Sequence, residues 1–408
     1  VHRFLNLDAH ILKKRTPYAL PAGLFGDVGV IISSYHKLDG WRNALAGKVA
    51  TVIFDEAHEL RRRESDKYAA AQHIAHAAKY RLGLTATPIF NYGGEFWSVI
   101  NAISPDALGT REEFLREWCI SGCQEGKESV REPRTFGGYL RESSLMLRRT
   151  RKDVKRELPP VSRIVQEIEC DLSALRNIRT SAVELAKIIL AQGGSGLDKM
   201  KAGGEFDMKL RQATGIAKAP YVAEFVRMLL ETDDEPAVLF GWHRAVYELW
   251  LDLLKPFDPV LYSGSENAKQ KNANLDRFLR GDSRVLIMSL RSGAGVNGIQ
   301  DICSRCVVGE LDWSPGALEQ CIGRIDRDGQ AHPVFAYFPV TREGCDPVMQ
   351  DTLGLKSGQI DGVRDPDAEL AEMRQVDPDH VKKLAESYLR GQRYTRAQMG
   401  LDVSTRSL

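Results

Sequence analysis

The chain has 408 residues, of which 43% are apolar and 27% are charged, a composition typical of a globular protein with about two to three domains. This balance excludes a disordered, collagen-like or disulfide-scaffold protein, and no apolar run approaches the ~18 residues that suggest a membrane span. Lysine and arginine number 56 against 55 acidic residues, a net charge of +1. A nucleic-acid partner would therefore need a local basic groove.

Strand-like and helix-like segments alternate in the first part of the chain. Short β-branched runs at 28–33 and 49–54, and a third run ending at 82–84, predict strands, whereas the Ala-rich stretch 64–78 predicts a helix. Strands that alternate with helices imply a parallel sheet covered on both faces.

The pattern changes after Pro159-Pro160. Residues 171–231 read as mostly helical, interrupted by glycines at 192–196 and 203–204. Further strands are then predicted at 237–240, 259–262, 285–289, 306–310 and 334–338. The sequence thus predicts an α/β fold of two lobes with parallel sheets, and a helical insertion at the start of the second lobe. The expected divisions are a first lobe at 1–145, a linker and helical insertion at 146–235, a second lobe at 236–355 and a C-terminal tail at 356–408.

Cysteine usage favours a reducing compartment. The chain has seven cysteines, an odd number, and no secretory leader is visible. We expect a cytoplasmic protein in a bacterial or phage-infected cell, or a nuclear one in a eukaryote. The spacings Cys303-x-x-Cys306 and Cys119-x-x-x-Cys123 could each supply two of the four ligands of a zinc site. Neither has a second ligand pair nearby, so we expect these cysteines to be small buried core residues.

The strongest single signal is V-I-F-D-E-A-H at 52–58. Ligands of open α/β sheets bind at the carboxyl ends of strands, and here an apolar strand ends in the carboxylates of Asp55 and Glu56. One carboxylate there can hold Mg²⁺, and the other can orient an attacking water in phosphoryl transfer. The alternative is an ordinary helix N-terminus, where acids are favoured by the helix dipole.

A second strand supports the first interpretation. R-L-G-L-T-A-T-P at 81–88 ends in two hydroxyls and a proline. D-E-A-H followed by L-T-A-T-P-I-F-N resembles motifs II and III of superfamily-two helicases. E-F-W-S-V-I-N at 95–101, with L-R-R-T-R-K-D-V at 147–154 and L-P-P at 158–160, is similar to the SWI/SNF-type ATPases, which are double-stranded DNA translocases.

The second lobe carries the same resemblance. Residues 289–295 look like motif V, D-W-S-P at 312–315 and Q-x-x-x-R-x-x-R-x-G-Q at 320–330 look like motif VI, and I-S-S-Y at 32–35 is similar to motif Ib. The motifs occur in the family's order from about residue 28 to residue 355. The resemblance implies two RecA-like lobes that bind ATP with Mg²⁺, and double-stranded DNA contacted mainly through its phosphates, with no membrane.

Roles for individual residues follow from this resemblance. Asp55 would bind Mg²⁺ and Glu56 would activate the water. Arg324 and Arg327 would stabilise the transition state, because their i,i+3 spacing places them on one face of an expected helix after Pro315. Gln320 would also contact the nucleotide. Residues expected to couple nucleotide state to DNA are His58, Thr85 and Thr87. Residues expected to contact DNA are Ser33, Ser34, Ser263, Gly264, Ser289 and Arg291.

One departure from the family pattern is important. The phosphate loop G-x-x-x-x-G-K-[ST] is absent, and Gly47-Lys48 precedes the Asp55 strand instead of following a strand. We therefore expect a chain truncated at its N-terminus before the phosphate loop, and a 408-residue fragment that is inactive alone. Motif V is also shifted in register. The alternatives are a strand-separating DNA or RNA helicase and a non-catalytic DNA-binding remnant.

Overall fold

The computed structural model describes residues 7–20, 29–85, 93–120, 128–149, 153, 158–191, 195–290, 296–353 and 380–391. The described residues form two compact units that divide between residues 148 and 149, and the last helix belongs to the second unit. No helix within the described ranges is long and apolar enough to cross a membrane.

The first unit combines short strands with helices. Its strands are β1 Asp8–Ile11, β2 Gly29–Ile32, β3 Thr51–Phe54 and β4 Tyr80–Gly83. Its helices are α1 Tyr35–Leu45, α2 Asp66–His76, α3 Gly93–Ile103, α4 Arg111–Trp118 and α5 Pro133–Glu142. A 3₁₀ turn, Ala57–Leu60, follows β3.

The second unit is larger. Its strands are β5 Val161–Glu167, β6 Ala237–Gly241, β7 Val260–Tyr262, β8 Val285–Ser289, β9 Arg305–Val308 and β10 Val334–Val340. Its helices are α6 Ser173–Asn177, α7 Arg179–Leu190, α8 Gly196–Thr232, α9 Arg244–Leu253, α10 Ala268–Leu279, α11 Pro315–Ile322 and α12 His380–Gly391.

The strands of the first unit pair in parallel, β1 with β2 and β3 with β4. Phe54 at the end of β3 packs with Ala57 and Leu60 against α2 and α3. The opposite face leaves Ile53 58% exposed and Leu82 49% exposed. Parallel sheets are normally covered on both faces. Within the described residues, however, no layer covers this second face.

The second unit has one six-stranded sheet in the order β5-β10-β9-β6-β8-β7, and every pairing in it is parallel. One apolar cluster includes side chains of α7, α8 and α12, and the other includes side chains of α8 and α9. The fully buried β6 and β8 read as unbroken apolar runs because both of their faces are covered. The predicted α/β fold, with a parallel sheet covered by helices, is confirmed.

Two strands and one long helix differ from the sequence expectation. β1 and β5 are strands that the sequence patterns did not predict, and β5 pairs with β10. The expected interruption at Gly203-Gly204 is wrong, since α8 continues through both glycines. Gly203 faces α12, where an added Cβ would lie 3.4 Å from the Val381 side chain. Packing on neighbouring elements thus offsets the roughly 1 kcal/mol that a helical glycine costs.

The cysteines behave as small core residues. Cys303, Cys306 and Cys321 are buried in the same apolar cluster, and burial raises the pKa of the Cys303 thiol to about 12. Six cysteines in the described part of the chain are free thiols, whereas Cys123 lies outside the described residues. No group of three or more His, Cys, Asp or Glu side chains in that part is arranged to hold a metal ion.

Candidate functional site

The acidic pair lies where β3 ends, at the carboxyl edge of the β3–β4 pair. Asp55 is exposed, and the Glu56 amide donates a hydrogen bond to Asp55 Oδ1 at 3.1 Å. Glu56 adopts a left-handed backbone, with φ of 50° and ψ of 53°, a conformation that is costly for a residue with a Cβ. This turn brings the chain directly from the strand into the 3₁₀ turn, so that two adjacent carboxylates leave the sheet at its edge.

Tyr35 fixes the end of the strand. Its hydroxyl donates a hydrogen bond to the Asp55 carbonyl at 2.8 Å, and its ring stacks on Phe54 with centroids 6.3 Å apart. Burial raises the pKa of the Tyr35 hydroxyl, and the carboxylates of Glu59, Asp55 and Glu56 raise it further. The negative potential that these carboxylates create favours a bound cation.

His58 connects the acidic pair to the end of β4. Its side chain is 7% exposed, and its Nδ1 lies 3.3 Å from Glu56 Oε2. The same Nδ1 is 3.2 Å from Thr85 Oγ1. Backbone hydrogen bonds between the two chains continue beyond the ends of β3 and β4. The Leu84 amide donates to the Phe54 carbonyl, and the Ala57 amide donates to the Leu84 carbonyl, both at 2.8 Å. The structure thus brings Glu56, His58 and Thr85 into contact, whereas Thr87 lies outside the described residues.

These residues fit a Mg²⁺-nucleotide better than a bare metal. Asp55 offers one exposed carboxylate, which is too few ligands for a metal ion held by the protein alone. One carboxylate is enough for Mg²⁺, which usually completes its coordination shell with phosphate oxygens and water. Asp55 would hold the ion, and the neighbouring Glu56 would face the reacting phosphate's water. The ion itself would neutralise charge on the phosphates.

The serines after β2 differ in exposure. Ser34 is exposed and precedes α1 as its N-cap residue, without a side-chain capping bond. The Ser33 hydroxyl donates to the Ser34 carbonyl at 3.1 Å. Ser34 therefore presents its hydroxyl at the end of β2, next to the start of a helix.

The second unit places the two arginines differently from the sequence prediction. α11 ends at Ile322 and Gly323 follows as its C-cap residue, so Arg324 and Arg327 lie in successive turns and not on one helical face. The Arg324 amide donates to the Cys321 carbonyl at 3.2 Å, and the Arg327 amide donates to the Ile325 carbonyl at 3.0 Å. The expected shared helical face is wrong because the helix is only eight residues long.

Arg327 contacts Val296, the first described residue after the segment that resembles motif V. Arg327 Nη1 donates to the Val296 carbonyl at 2.8 Å. Gln330 is buried and donates from Nε2 to the Cys303 carbonyl at 2.9 Å, which closes the turns on the sheet. Gln320 lies half-buried on α11 itself.

The remaining candidate DNA contacts differ in whether their hydroxyls are already bonded. Ser263 is buried and donates to Glu266 Oε1 at 3.2 Å, and Ser289 is buried at the end of β8. Gly264 is exposed beside Ser263, with open space where a side chain would project. Arg291 lies outside the described residues.

Sequence reasoning missed an acidic side chain at the carboxyl end of the second sheet. Glu310 is buried just after β9, and its Oε1 lies 2.6 Å from His243 Nδ1. Its Oε2 accepts the Trp242 and His243 amides at 2.6 and 3.0 Å. The sequence does contain a pattern that could have identified Glu310. It is an acid that closely follows an apolar strand, as Asp55 follows β3. The exposed edge of Trp242, 37% accessible, lies in this loop.

The chain is a parallel α/β protein in which the β3 strand of the first unit ends in two adjacent carboxylates. The sequence model described as "SNF2-related domain" matches residues 2–214, just over half of the chain. The chain therefore belongs to the SNF2-related family, whose members are DNA-dependent ATPases.

Individual relatives agree with this family. The chain is similar to human "DNA annealing helicase and endonuclease ZRANB3", at 25% identity over 76% of this chain and 29% of that protein. It is 26% identical to Bacillus subtilis "Uncharacterized ATP-dependent helicase YqhH", over 71% of this chain and 55% of that protein. The chain thus spans less than two thirds of both relatives. A Sulfolobus solfataricus SWI2/SNF2 ATPase core in complex with double-stranded DNA aligns over 91% of this chain and 83% of that one, at 17% identity with a TM-score of 0.41.

Proposed function

We propose that the chain is part of an ATP-driven motor that moves along double-stranded DNA. The observation that carries this proposal is the contact of His58 with both Glu56 and Thr85, at 3.3 and 3.2 Å, beside an exposed Asp55. Through His58, Glu56, which would activate the water, is connected to Thr85 at the end of β4, which would respond to the bound nucleotide. Asp55 holds Mg²⁺, Glu56 orients the water, and His58 with Thr85 and Thr87 couples hydrolysis to DNA.

We propose a role in ATP hydrolysis for the arginine-bearing turns of the second unit as well. Arg324 and Arg327 stabilise charge that develops on the transferred phosphoryl group, and Gln320 contacts the nucleotide. A guanidinium suits this role because it is planar, always charged and bidentate. Backbone hydrogen bonds to the Cys321 and Ile325 carbonyls fix the main chain of the turns that carry the two arginines.

DNA is contacted mainly through phosphates and without sequence preference. The contacts come from Ser33, Ser34, Ser263, Gly264, Ser289 and Arg291. Among these, Ser34 and Gly264 have the exposure that a backbone contact needs. Lys13, Lys14 and Arg15 add positive charge near β1, although Arg15 is also paired with Asp39 at 2.5 Å.

We further propose that the loop binding the β- and γ-phosphates comes from polypeptide beyond these 408 residues. Two observations support this. The 408 residues contain no G-x-x-x-x-G-K-[ST] motif, and among the described residues Ile53 of β3, Leu82 of β4 and the following Leu84 are exposed. An additional strand-and-helix segment would cover those side chains. The 408-residue chain alone should therefore hydrolyse ATP negligibly, because the nucleotide is poorly held without backbone amides around its phosphates.

Two substitutions test the roles of the carboxylates. In the full-length natural protein, Glu56→Gln should leave ATP binding intact but suppress turnover, because it keeps the shape and removes the charge that polarises the water. Asp55→Asn should instead weaken Mg²⁺-dependent binding. Nucleotide titrations with and without Mg²⁺ separate the two effects, and identical behaviour of the two variants would contradict the division of roles.

A strand-displacement pair of assays separates translocation from unwinding. A translocase should displace the third strand of a DNA triplex in the presence of ATP and leave the underlying duplex paired. Release of a labelled strand from that duplex would favour the alternative, a strand-separating helicase. Absence of DNA-stimulated ATP hydrolysis in the full-length protein would favour a non-catalytic DNA-binding protein.

A further inference from the structure

The segment Glu310–Ser314 connects β9 to α11, and it is fastened to α8 by polar contacts; we call it the α11 link. Arg211 of α8 donates from Nη2 to the Leu311 carbonyl at 3.1 Å. The same nitrogen lies 3.8 Å from Asp312 Oδ2, and Asp312 is 98% buried. One guanidinium on the long helix thus contacts the backbone and a side chain of the link.

Asp207, one turn earlier on α8, extends this arrangement. Its Oδ1 accepts a hydrogen bond from Trp313 Nε1 at 2.8 Å, and its Oδ2 lies 3.9 Å from Arg211 Nη1. The Trp313 ring also packs against His380 of α12, with centroids 4.7 Å apart. The link is therefore held along its length by α8 and covered at Trp313 by α12.

The link leads directly into the helix that precedes the arginines. Asp312 Oδ1 accepts the amide of Ser314, the residue before α11, at 2.9 Å. α11 is eight residues long, and the turns with Arg324 and Arg327 follow it without a further strand or helix. A short helix transmits the orientation of its first turn to its last, so a rotation of the link displaces both arginines.

We propose that Asp207 and Arg211 are positioning residues, which fix the α11 link and thereby aim Arg324 and Arg327. This inference rests on the proposed role of those two arginines in ATP hydrolysis. Asp207 and Arg211 act through the link and α11, and they are not themselves groups that touch the reacting atoms. α8 thereby becomes a part of the catalytic arrangement, although none of the motifs quoted in the sequence analysis lies on it.

Hydrogen exchange on the 408-residue chain tests the physical part of this proposal. Arg211→Gln should accelerate amide exchange in residues 311–330 roughly tenfold or more, because a charged donor to a buried carbonyl is lost. The matched control is Arg227→Gln: Arg227 lies on the same helix and donates to the Leu253 carbonyl at 3.0 Å, far along the chain from the link. The control should leave exchange in 311–330 unchanged. Equal exchange in the two variants would overturn the proposal.

A conservative variant guards against a folding defect. Arg211→Lys keeps the charge but replaces the planar guanidinium, whose Nη1 and Nη2 face Asp207 and Leu311, with a single ammonium nitrogen. We therefore expect a smaller acceleration confined to the same residues. Loss of protection throughout the second unit in Arg211→Lys would mean that Arg211 is a general stability residue, which overturns the positioning role.

The catalytic part is tested in the full-length natural protein. Arg211→Gln should lower turnover at saturating ATP and DNA at least tenfold, while KM for ATP and the affinity for DNA stay within about twofold, because misaimed arginines act on the transition state. Faster exchange in 311–330 with unchanged turnover would overturn the proposal. If the parent protein itself hydrolyses no ATP, the proposed function fails and the catalytic meaning of the contact fails with it, whereas the exchange result still reports on the link.

Discussion

The buried ion pair between Lys218 and Asp346 gives a sharp prediction about the second unit. Lys218 Nζ lies 2.7 Å from Asp346 Oδ2, and the two side chains are only 1% and 2% exposed. Lys218 also donates to the Pro339 carbonyl at 3.1 Å, and the Thr341 amide donates to Asp346 at 3.1 Å. The pair therefore joins α8 to the chain that leaves β10.

The expected magnitude follows from burial and not from distance. Lys218→Met leaves a buried carboxylate without its cation, and breaking such a pair costs about 3–5 kcal/mol of unfolding free energy. For a unit of this size, that corresponds to a fall in Tm of roughly 6–20 °C. Lys209 provides the matched control, since it lies on the same helix with its Nζ 2.7 Å from Glu205 Oε1, but with side chains 33% and 50% exposed. Lys209→Met should cost only about 0.3–0.5 kcal/mol.

Urea unfolding followed by circular dichroism, compared with the unsubstituted 408-residue chain, measures both variants. The double variant Lys218→Met/Asp346→Asn should recover roughly 2–3 kcal/mol relative to the sum of the single changes, because the asparagine removes the unpaired charge and can still accept the Thr341 amide. If Lys218→Met and Lys209→Met shift the midpoint equally, burial does not set the strength of these pairs and the reasoning is refuted.

Further predictions concern catalysis, capping and pH. Arg327→Ala in the full-length protein should cut DNA-stimulated turnover by about 10³ or more with DNA affinity nearly unchanged. The control is Arg280→Ala, which removes an exposed pair with Asp282. A fall in affinity with a salt slope lower by about one unit would instead make Arg327 a DNA contact. Thr110→Ala should destabilise α4 by about 1 kcal/mol, measured by urea unfolding, because Thr110 and Glu113 form a capping box. The Thr110 amide and hydroxyl hold the pKa of Glu113 below its ordinary 4.5, so the stability that this carboxylate adds is present above pH 4.5 and is lost as the pH falls through the lower folded pKa. The difference in urea midpoint between the unsubstituted chain and Glu113→Gln should accordingly vanish in acid.

The central strands of the second unit could be predicted because a strand buried on both faces is an unbroken run of apolar residues. β6 and β8 are fully buried and apolar along their whole length, and the sequence patterns located both. β5 escaped prediction because it lies at the edge of the sheet, where most of its residues are exposed and polar. β1 is only four residues long and partly exposed, so it has no pattern that a single sequence reveals.

The site shows a different limit. Asp55 and Glu56 could be found because acids that follow an apolar strand have a chemical reason to be there. The contact of His58 with Thr85 could not, since the two residues are 27 positions apart and meet only because β3 and β4 pair in register. Asp207 and Arg211 have no sequence signal at all, because an i,i+4 pair on a long helix is ordinary surface chemistry until the partner segment is known.

Spacing also misleads where an element ends early. Arg324 and Arg327 are three residues apart, which places two side chains on one face only while the backbone stays helical. Because α11 stops at Ile322, the arginines sit in turns, and Arg327 is held by the Val296 carbonyl at 2.8 Å. Any movement of Arg327 toward a phosphate must therefore break its bond to the Val296 carbonyl or carry Val296 with it.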